Sequence, residues 1–182
     1  VPDGVWTWRR IDNLLDPRDG SVVQVQLGGG AKAILSDQNF VRLHARVQHF
    51  IPLGRADTLN LRAEVGYTFA DSRDGIPQDY LFRTGGAGTV RGYAYNSLGV
   101  TESGATVGGR YMTTVSAEVT HWLDETWGIA AFVDAGDAVD SLQDARLAVG
   151  AGLGARWRSP AGPLGVDLAY GERNQAVHLH FS

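Results

Sequence analysis

Cysteine is absent from the 182 residues of this sequence, which excludes a disulfide framework, thiol catalysis and a cysteine-ligated metal. An excess of positive charge is absent too: 20 acidic and 16 basic residues give a formal net charge of −4, so no nucleic-acid partner is expected. No apolar run approaches the ~20 residues of a transmembrane helix, which excludes a helical membrane protein. No signal peptide is visible, because "VPDGVWTWRR" lacks a basic start followed by an apolar stretch; either it has been removed or the chain is a fragment.

What the sequence does have is alternation of apolar and polar residues. Residues 41–48 and 59–69 alternate Val, Leu, Ala, Tyr and Phe with Arg, His, Glu, Asn and Gln, and later segments do the same. A chain of this length is ordinarily one domain, and period two predicts that it is all-β. We expect about eight to nine strands, near residues 4–11, 21–29, 40–51, 57–70, 110–122, 126–136, 146–158, 163–171 and 175–182. Stretches rich in Gly, Pro, Asp and Asn separate them, which predicts an antiparallel meander.

Two architectures fit this pattern. A soluble sandwich or lipocalin-like barrel would bury the apolar faces, whereas a transmembrane β-barrel would turn them to lipid and leave the polar faces in its lumen. The strands run to ten or more residues, and ~9–11 tilted residues cross a bilayer. Five tryptophans lie close to strand ends, as aromatic girdles do: Trp6, Trp8, Trp122, Trp127 and Trp157. The pattern favours the membrane barrel and leaves the soluble one open.

Residues 71–109 form the longest gap between predicted strands. A connection of that length is uncommon in a compact domain and is usually functional or disordered. Its centre, "LFRTGGAGTVRGYAYNSLG" (81–99), interleaves aromatic and aliphatic residues with glycines, which argues against disorder. We therefore expect a loop that folds back and buries itself.

Four stretches, in order along the chain, resemble the BamA/TamA superfamily of barrel-assembly and protein-translocating outer-membrane proteins, in particular its TamA-like branch. "FRTGGAGTVRGYAYNSLG" (82–99) is similar to the signature of that family's sixth extracellular loop, and "FVDAG" (132–136) to an aromatic-x-Asp-x-Gly strand motif. "RIDNLLDPRDGS" (10–21) is similar to a barrel hairpin, and "GAGLGARWRSPAGPLGVDLAYG" (150–171) to a glycine-rich strand, a turn and the next strand. The resemblance implies that residues 1–182 are the C-terminal half of a sixteen-stranded barrel, with 71–109 as the loop.

Period two places candidate partners for Arg91 on the inner wall. Phe132, Asp134 and Gly136 share one strand face, which points inward, and Glu118 points inward on the preceding strand. An arginine carried into a barrel needs carboxylates to offset its desolvation, and a guanidinium bridges two of them. The resemblance implies the same pairing, with Val90, Arg91, Gly92 and Tyr93 as the loop anchor. Inward glycines at Gly150, Gly152 and Gly154 are expected to make room for the loop. The alternative is that Arg91 is an exposed loop charge and Asp134 a turn residue.

The resemblance implies a non-enzymatic protein of the outer membrane of a Gram-negative bacterium, with no catalytic residues, cofactor or metal. Its function would be to insert or export other outer-membrane proteins or autotransporters. Expected partners are membrane lipid, client outer-membrane or secreted proteins and a partner that spans the inner membrane. Two alternatives stay open: a two-partner-secretion transporter of the same superfamily, and a small β-barrel that only binds a ligand or has a structural role.

Residues 175–182 are the candidate seam strand, with Val177, Leu179 and Phe181 on its apolar face. In the family, clients pass at a weak seam between the first and last strands, and an unpaired strand edge templates pairing by another strand. The His178-x-His180 pair is half a metal site at most, so lumen-facing polar residues are expected there. The family's earlier strands and periplasmic repeat domains are not in this sequence. Closure in a bilayer therefore requires a longer chain, a small barrel of eight or nine strands, or pairing of copies.

Overall fold

The computed structural model describes residues 2–30, 39–160 and 162–182. Nine long strands form one antiparallel sheet in the order β1-β2-β3-β4-β7-β8-β9-β10-β11. Their bounds are β1 Asp3–Ile11, β2 Gly20–Gly30, β3 Phe40–Pro52, β4 Asp57–Phe69, β7 Tyr111–Trp122, β8 Trp127–Val139, β9 Ala148–Ser159, β10 Gly162–Gly171 and β11 Ala176–Phe181. A separate two-stranded ribbon, β5 Val100–Glu102 and β6 Ala105–Val107, lies in the long connection between β4 and β7. The predicted antiparallel meander is confirmed.

The nine predicted strands lie within three residues of the observed bounds. The largest difference is in β8, which ends at Val139 rather than at residue 136. Just past the predicted end, the Asp137 carboxylate is buried and accepts hydrogen bonds from the backbone N–H of Ala138 at 3.0 Å and of Arg146 at 2.9 Å. Because those two donors satisfy the carboxylate, the strand continues past it.

The two faces of the sheet are the reverse of those in a soluble protein. Large apolar side chains such as Leu61, Val65 and Leu153 are exposed on the convex face. Polar side chains such as Thr114 and Asp167 are buried on the concave face. Trp127 and Trp157 stack on the outer face with their ring centroids 5.8 Å apart, close to the turn between β7 and β8. An apolar exterior, a polar interior and aromatic residues near the strand ends are typical of transmembrane barrels.

In the ranges given above, no helix is long and apolar enough to cross a bilayer.

The sheet is curved and open. β1 and β11 lie at its two edges, and no ladder joins them among the described residues. The curvature brings the β1–β2 turn across the concave side, where Asp16 pairs with Arg158 of β9 at 2.7 Å. Over the described ranges, the sheet therefore does not form the closed barrel of eight or nine strands named above as an alternative.

The β1–β2 turn is ordered by one carboxylate. Asp12 Oδ1 accepts hydrogen bonds from the backbone N–H groups of Arg18 at 2.9 Å, Asp19 at 3.1 Å and Asn13 at 2.9 Å. These bonds, that of Arg18 first, favour the ionised form and hold the pKa of Asp12 below its usual value. In the β7–β8 turn, donation from the Trp127 and Thr126 amides likewise lowers the pKa of Asp124.

The β4–β7 connection folds into the concave side of the sheet. It contains the short 3₁₀ turn Gln78–Tyr80, and backbone bridges pair Phe82 with Gly109 and Thr84 with Leu98. Val90 and Tyr93 are almost fully buried. The sequence predicted no strand here, and the ribbon β5–β6 corrects that: three residues per strand are too few to show a period.

Candidate functional site

Two glycines turn the loop toward the inner wall. Gly85 and Gly86 have φ angles of +105° and +102°, a region that side chains with a Cβ rarely adopt. The Gly85 N–H donates to the Thr89 hydroxyl at 2.9 Å, and the Gly86 N–H donates to the Val90 carbonyl oxygen at 3.0 Å. This tight turn delivers Arg91 to the wall.

Arg91 is the centre of the site. Its Nε donates to Asp134 Oδ2 at 2.7 Å and its Nη2 to Asp134 Oδ1 at 3.0 Å, which is a bidentate pair. Its Nη1 donates to Glu118 Oε2 at 2.5 Å and to Asp167 Oδ2 at 3.1 Å. The Arg91 residue is 4% exposed and Asp134 is 0% exposed. The structure thus brings Arg91 to both carboxylates expected from the sequence and to a third that was not expected.

The third carboxylate belongs to a network with a second arginine. Arg156 Nη1 donates to Asp167 Oδ1 at 2.5 Å, and Arg156 Nη2 lies 2.9 Å from Glu118 Oε1. Asp134 also accepts from the Ser116 hydroxyl at 2.6 Å. Three carboxylates and two guanidinium groups therefore share one buried cluster with a formal charge of −1. Period two in the sequence already placed Asp167 on the inner face, so that signal was available and was missed.

The FVDAG stretch of β8 (residues 132–136) packs against the loop at Val90 and Arg91. The Phe132 ring lies under the guanidinium of Arg91, whose Cζ is 3.4 Å from the ring centroid. A Cβ at Gly136 would lie 2.9 Å from Val90 Cγ2, so the missing side chain makes room for Val90. Three alternate positions on one strand face, Phe132, Asp134 and Gly136, thereby hold two consecutive loop residues.

The three inward glycines of β9 differ in what they accommodate. A Cβ at Gly150 would overlap the carbonyl oxygen of Arg91, so this glycine admits the loop backbone. A Cβ at Gly152 would meet the Phe132 ring at 2.6 Å, and one at Gly154 would overlap Asp167 Oδ1. Gly152 and Gly154 therefore make room for side chains of the wall rather than for the loop, because the loop passes at the level of Gly150.

Arg91, Gly92 and Tyr93 together reach five strands. Arg91 contacts β7, β8 and β10 through the three carboxylates. The Gly92 N–H donates to Nε2 of His180 on β11 at 3.0 Å, and the Tyr93 hydroxyl donates to the carbonyl oxygen of Val149 on β9 at 3.0 Å. A tripeptide of the loop therefore ties together every strand from β7 to the last one.

Gly92 requires the absence of a side chain. Its φ is +91°, and a Cβ there would lie 2.8 Å from backbone atoms of Tyr170 and Gly171 in β10. Its carbonyl oxygen accepts from the side-chain amide of Asn174 at 3.1 Å. Any other residue at this position would have a strained backbone, and its Cβ would clash with the backbone of β10.

A second loop contact, at Phe82, lies against β4, β7 and β8. Phe82 fills the space left by Gly66, where a Cβ would meet the ring at 2.6 Å, and it packs with Met112 and Ala138. The guanidinium carbon of Arg42 lies 4.4 Å from the Phe82 ring centroid. The sequence did not single out Phe82, and no charge marks the position.

β11 is an edge strand whose free side is defined by its register. Ser182 and Gly165 exchange both backbone hydrogen bonds, at 2.6 and 3.0 Å. Because bonded and non-bonded pairs alternate in an antiparallel ladder, Val177, Leu179 and Phe181 form the non-bonded pairs with β10. Their backbone N–H and C=O groups point to the free edge, and their side chains are exposed on the outer face.

His178 and His180 lie on the inner face of β11, with ring centroids 6.0 Å apart. Across the described parts of the chain, no group of three or more His, Cys, Asp or Glu side chains is placed to hold a metal ion.

Comparison with known proteins agrees with this geometry. The Omp85 superfamily domain matches residues 3–182. The chain belongs to the Omp85 superfamily. It is 30% identical over 172 residues to the outer membrane protein assembly factor BamA of Nitratidesulfovibrio vulgaris (strain ATCC 29579 / DSM 644 / CCUG 34227 / NCIMB 8303 / VKM B-1760 / Hildenborough), a match covering 88% of this chain and 21% of that protein.

The crystal structure of BamA from Haemophilus ducreyi lacking POTRA domains 1–3 has the same fold. It superposes with a TM-score of 0.81 at 19% identity, over 98% of this chain and 40% of that one. The chain thus spans about a fifth of the length of the curated relative. Membership in the BamA/TamA-type superfamily is confirmed, as are the barrel fold and the outer membrane of Gram-negative bacteria as the location. The TamA-like branch and the role of each site residue stay predictions.

Proposed function

We propose that this chain is the part of an outer-membrane assembly or translocation barrel in which the loop anchor sets the position of the seam strand. The protein to which it belongs would insert or export other outer-membrane proteins or autotransporters. Arg91 supports this proposal most directly. A buried arginine held by three carboxylates on β7, β8 and β10 fixes the loop inside the lumen next to the last strand.

The free edge of β11 supports the client side of the proposal. Val177, Leu179 and Phe181 present unpaired backbone groups along that edge, and such an edge pairs with an incoming strand. β10 and β11 are paired over six residues, against ten for β9 and β10. A short last strand holds its partners weakly, so a client strand competes for it more easily.

The outer face of the sheet would contact membrane lipid. The proposed protein partners are client proteins and a component that spans the inner membrane. No catalytic step is part of the proposal: the cluster around Arg91 positions a loop, and the absence of an enzymatic role stays a prediction.

The experiment uses the full-length protein in proteoliposomes with a client barrel, whose folding is followed by its heat-modifiable mobility. Leu179→Pro removes one N–H from the free edge and leaves the ladder to β10 in place. Leu179→Ala is the matched control, because it removes the same side chain and keeps the N–H. We expect Leu179→Pro to slow client folding severalfold and Leu179→Ala to leave it near the unmodified rate. Equal rates for both variants would contradict the role of the β11 edge.

A further inference from the structure

The loop anchor makes a direct hydrogen bond to the seam strand, separate from the arginine cluster. Gly92 lies between two side chains of the last hairpin: its N–H donates to His180 Nε2 at 3.0 Å, and its carbonyl oxygen accepts from Asn174 Nδ2 at 3.1 Å. His180 is 9% exposed and lies opposite Asp167 in the β10–β11 ladder. One residue of the loop is therefore bound, through both of its backbone polar groups, to β11 and to the turn that precedes it.

The bond to His180 requires one protonation state. The Gly92 N–H is a fixed backbone donor, so Nε2 must offer a lone pair, and the imidazole is then neutral with its proton on Nδ1. An imidazolium ion has two donors and no acceptor. Protonation at Nε2 therefore replaces a hydrogen bond with two N–H groups that face each other.

The neighbouring charges do not restore that bond. Asp134 of β8, Asp167 of β10 and Arg91 of the loop act on His180, as does His178 on its own strand. Both carboxylates already accept hydrogen bonds from Arg91. None of these groups supplies an acceptor to the Gly92 N–H.

We propose that His180 is a proton-sensitive latch between the loop and the seam strand. The neutral ring holds β11 to Gly92, and the protonated ring releases it, which leaves β11 joined to the barrel through β10. The latch rests on the proposed function in one respect, the assignment of β11 as the seam. His180 is a positioning residue, since it acts on the client edge through the place of the strand.

The test is hydrogen–deuterium exchange of the full-length protein in detergent micelles, without a client. Exchange of the peptide spanning residues 90–95 and of the β11 peptide is measured between about pH 5 and pH 8, the range in which histidine changes charge. Each rate is divided by that of the same peptide in the unfolded protein at the same pH. Because no client is present, a negative result here is distinct from a failure of the proposed function.

Three proteins are compared. In the unmodified protein we expect protection of both peptides to fall about five- to tenfold at the acidic end, the effect of losing one buried hydrogen bond. His180→Gln places an amide oxygen where Nε2 lies and accepts at every pH, so its protection is expected to stay constant. His178→Gln is the matched control: His178 bonds to Asn174 at 3.1 Å and not to the loop, so its profile should follow the unmodified protein.

Three results would overturn the latch. The first is protection that does not change with pH in the unmodified protein, which requires no variant and therefore holds even if a substitution prevents folding. The second is a pH profile for His180→Gln that equals that of the unmodified protein. The third is a constant profile for His178→Gln, which would assign the proton to the other histidine.

Discussion

Replacing Arg91 with alanine should release the loop from the inner wall. Among the described residues Arg91 is the cation in contact with Asp134, whereas Glu118 and Asp167 keep Arg156. The formal charge of the cluster changes from −1 to −2, and the Asp134 carboxylate loses its cation. Its remaining donors are uncharged: the Ser116 hydroxyl and the backbone N–H of residue 91. Breaking a buried pair by removing one partner costs about 3–5 kcal/mol. The undocked fraction of the loop should therefore rise on the order of a hundredfold or more.

The measurement is the rate at which proteinase K cuts the loop of the full-length protein in native membranes, together with the temperature of its heat-modifiable transition. Arg83→Ala is the matched control, because Arg83 is an exposed arginine of the same loop. Adding Asp134→Asn to Arg91→Ala removes the uncompensated charge and should recover about 1–3 kcal/mol of the loss. Arg91→Lys should be intermediate, since one ammonium group cannot reproduce the bidentate pair.

Two results would refute this reasoning. One is a loop in Arg91→Ala that is as resistant to protease as in Arg83→Ala. The other is strictly additive effects of Arg91→Ala and Asp134→Asn, because residues that interact directly must show a coupling energy.

Three further predictions concern other parts of the chain. Gly150→Val should undock the loop, because its Cβ would overlap the Arg91 carbonyl oxygen, whereas Gly88→Val, where nothing lies within 4 Å, should have little effect; equal protease sensitivity would contradict this. Asp12 has a lowered pKa, so its contribution to stability is present above its usual pKa and is lost as pH falls through the lowered value. The unfolding temperature of the Asp12→Ala variant should accordingly lie below that of the unmodified protein at pH 7, and the two should converge in acid. Trp127, half exposed on the outer face, should be quenched by brominated lipid and not by a water-soluble quencher.

Most of the sheet was predictable because a strand in a barrel has one environment on each face. The alternation of apolar and polar side chains predicted β3 and β4. The same alternation placed Glu118 and Asp134 on the inner wall. The same rule places Asp167 on that wall, but the alternation does not show which carboxylates of the wall Arg91 reaches. Within one strand, every second residue points to the same face, so one inward residue assigns the others.

The sequence could not show what depends on the path of the loop. Gly150, Gly152 and Gly154 are equivalent by period, yet only the first faces the loop backbone, because the height at which Arg91 enters is set by the turn at Gly85 and Gly86. The bond from Gly92 to His180 joins residues 88 positions apart, and neither residue type signals it. Contacts of this kind follow from three-dimensional placement alone.

A disulfide cross-link between loop and wall tests the central claim, that the loop lies docked at β8 in the membrane. The sequence has no cysteine, so a pair introduced here has no competing thiol within residues 1–182. Val90→Cys with Gly136→Cys brings together positions where a Cβ and a methyl carbon are 2.9 Å apart, within the reach of a disulfide. We expect rapid cross-linking of this pair in the full-length protein in native membranes, and none for Val90→Cys with Gly128→Cys at the far end of β8. Free thiols at both positions of the first pair in a folded barrel, or equal cross-linking of the two pairs, would contradict it.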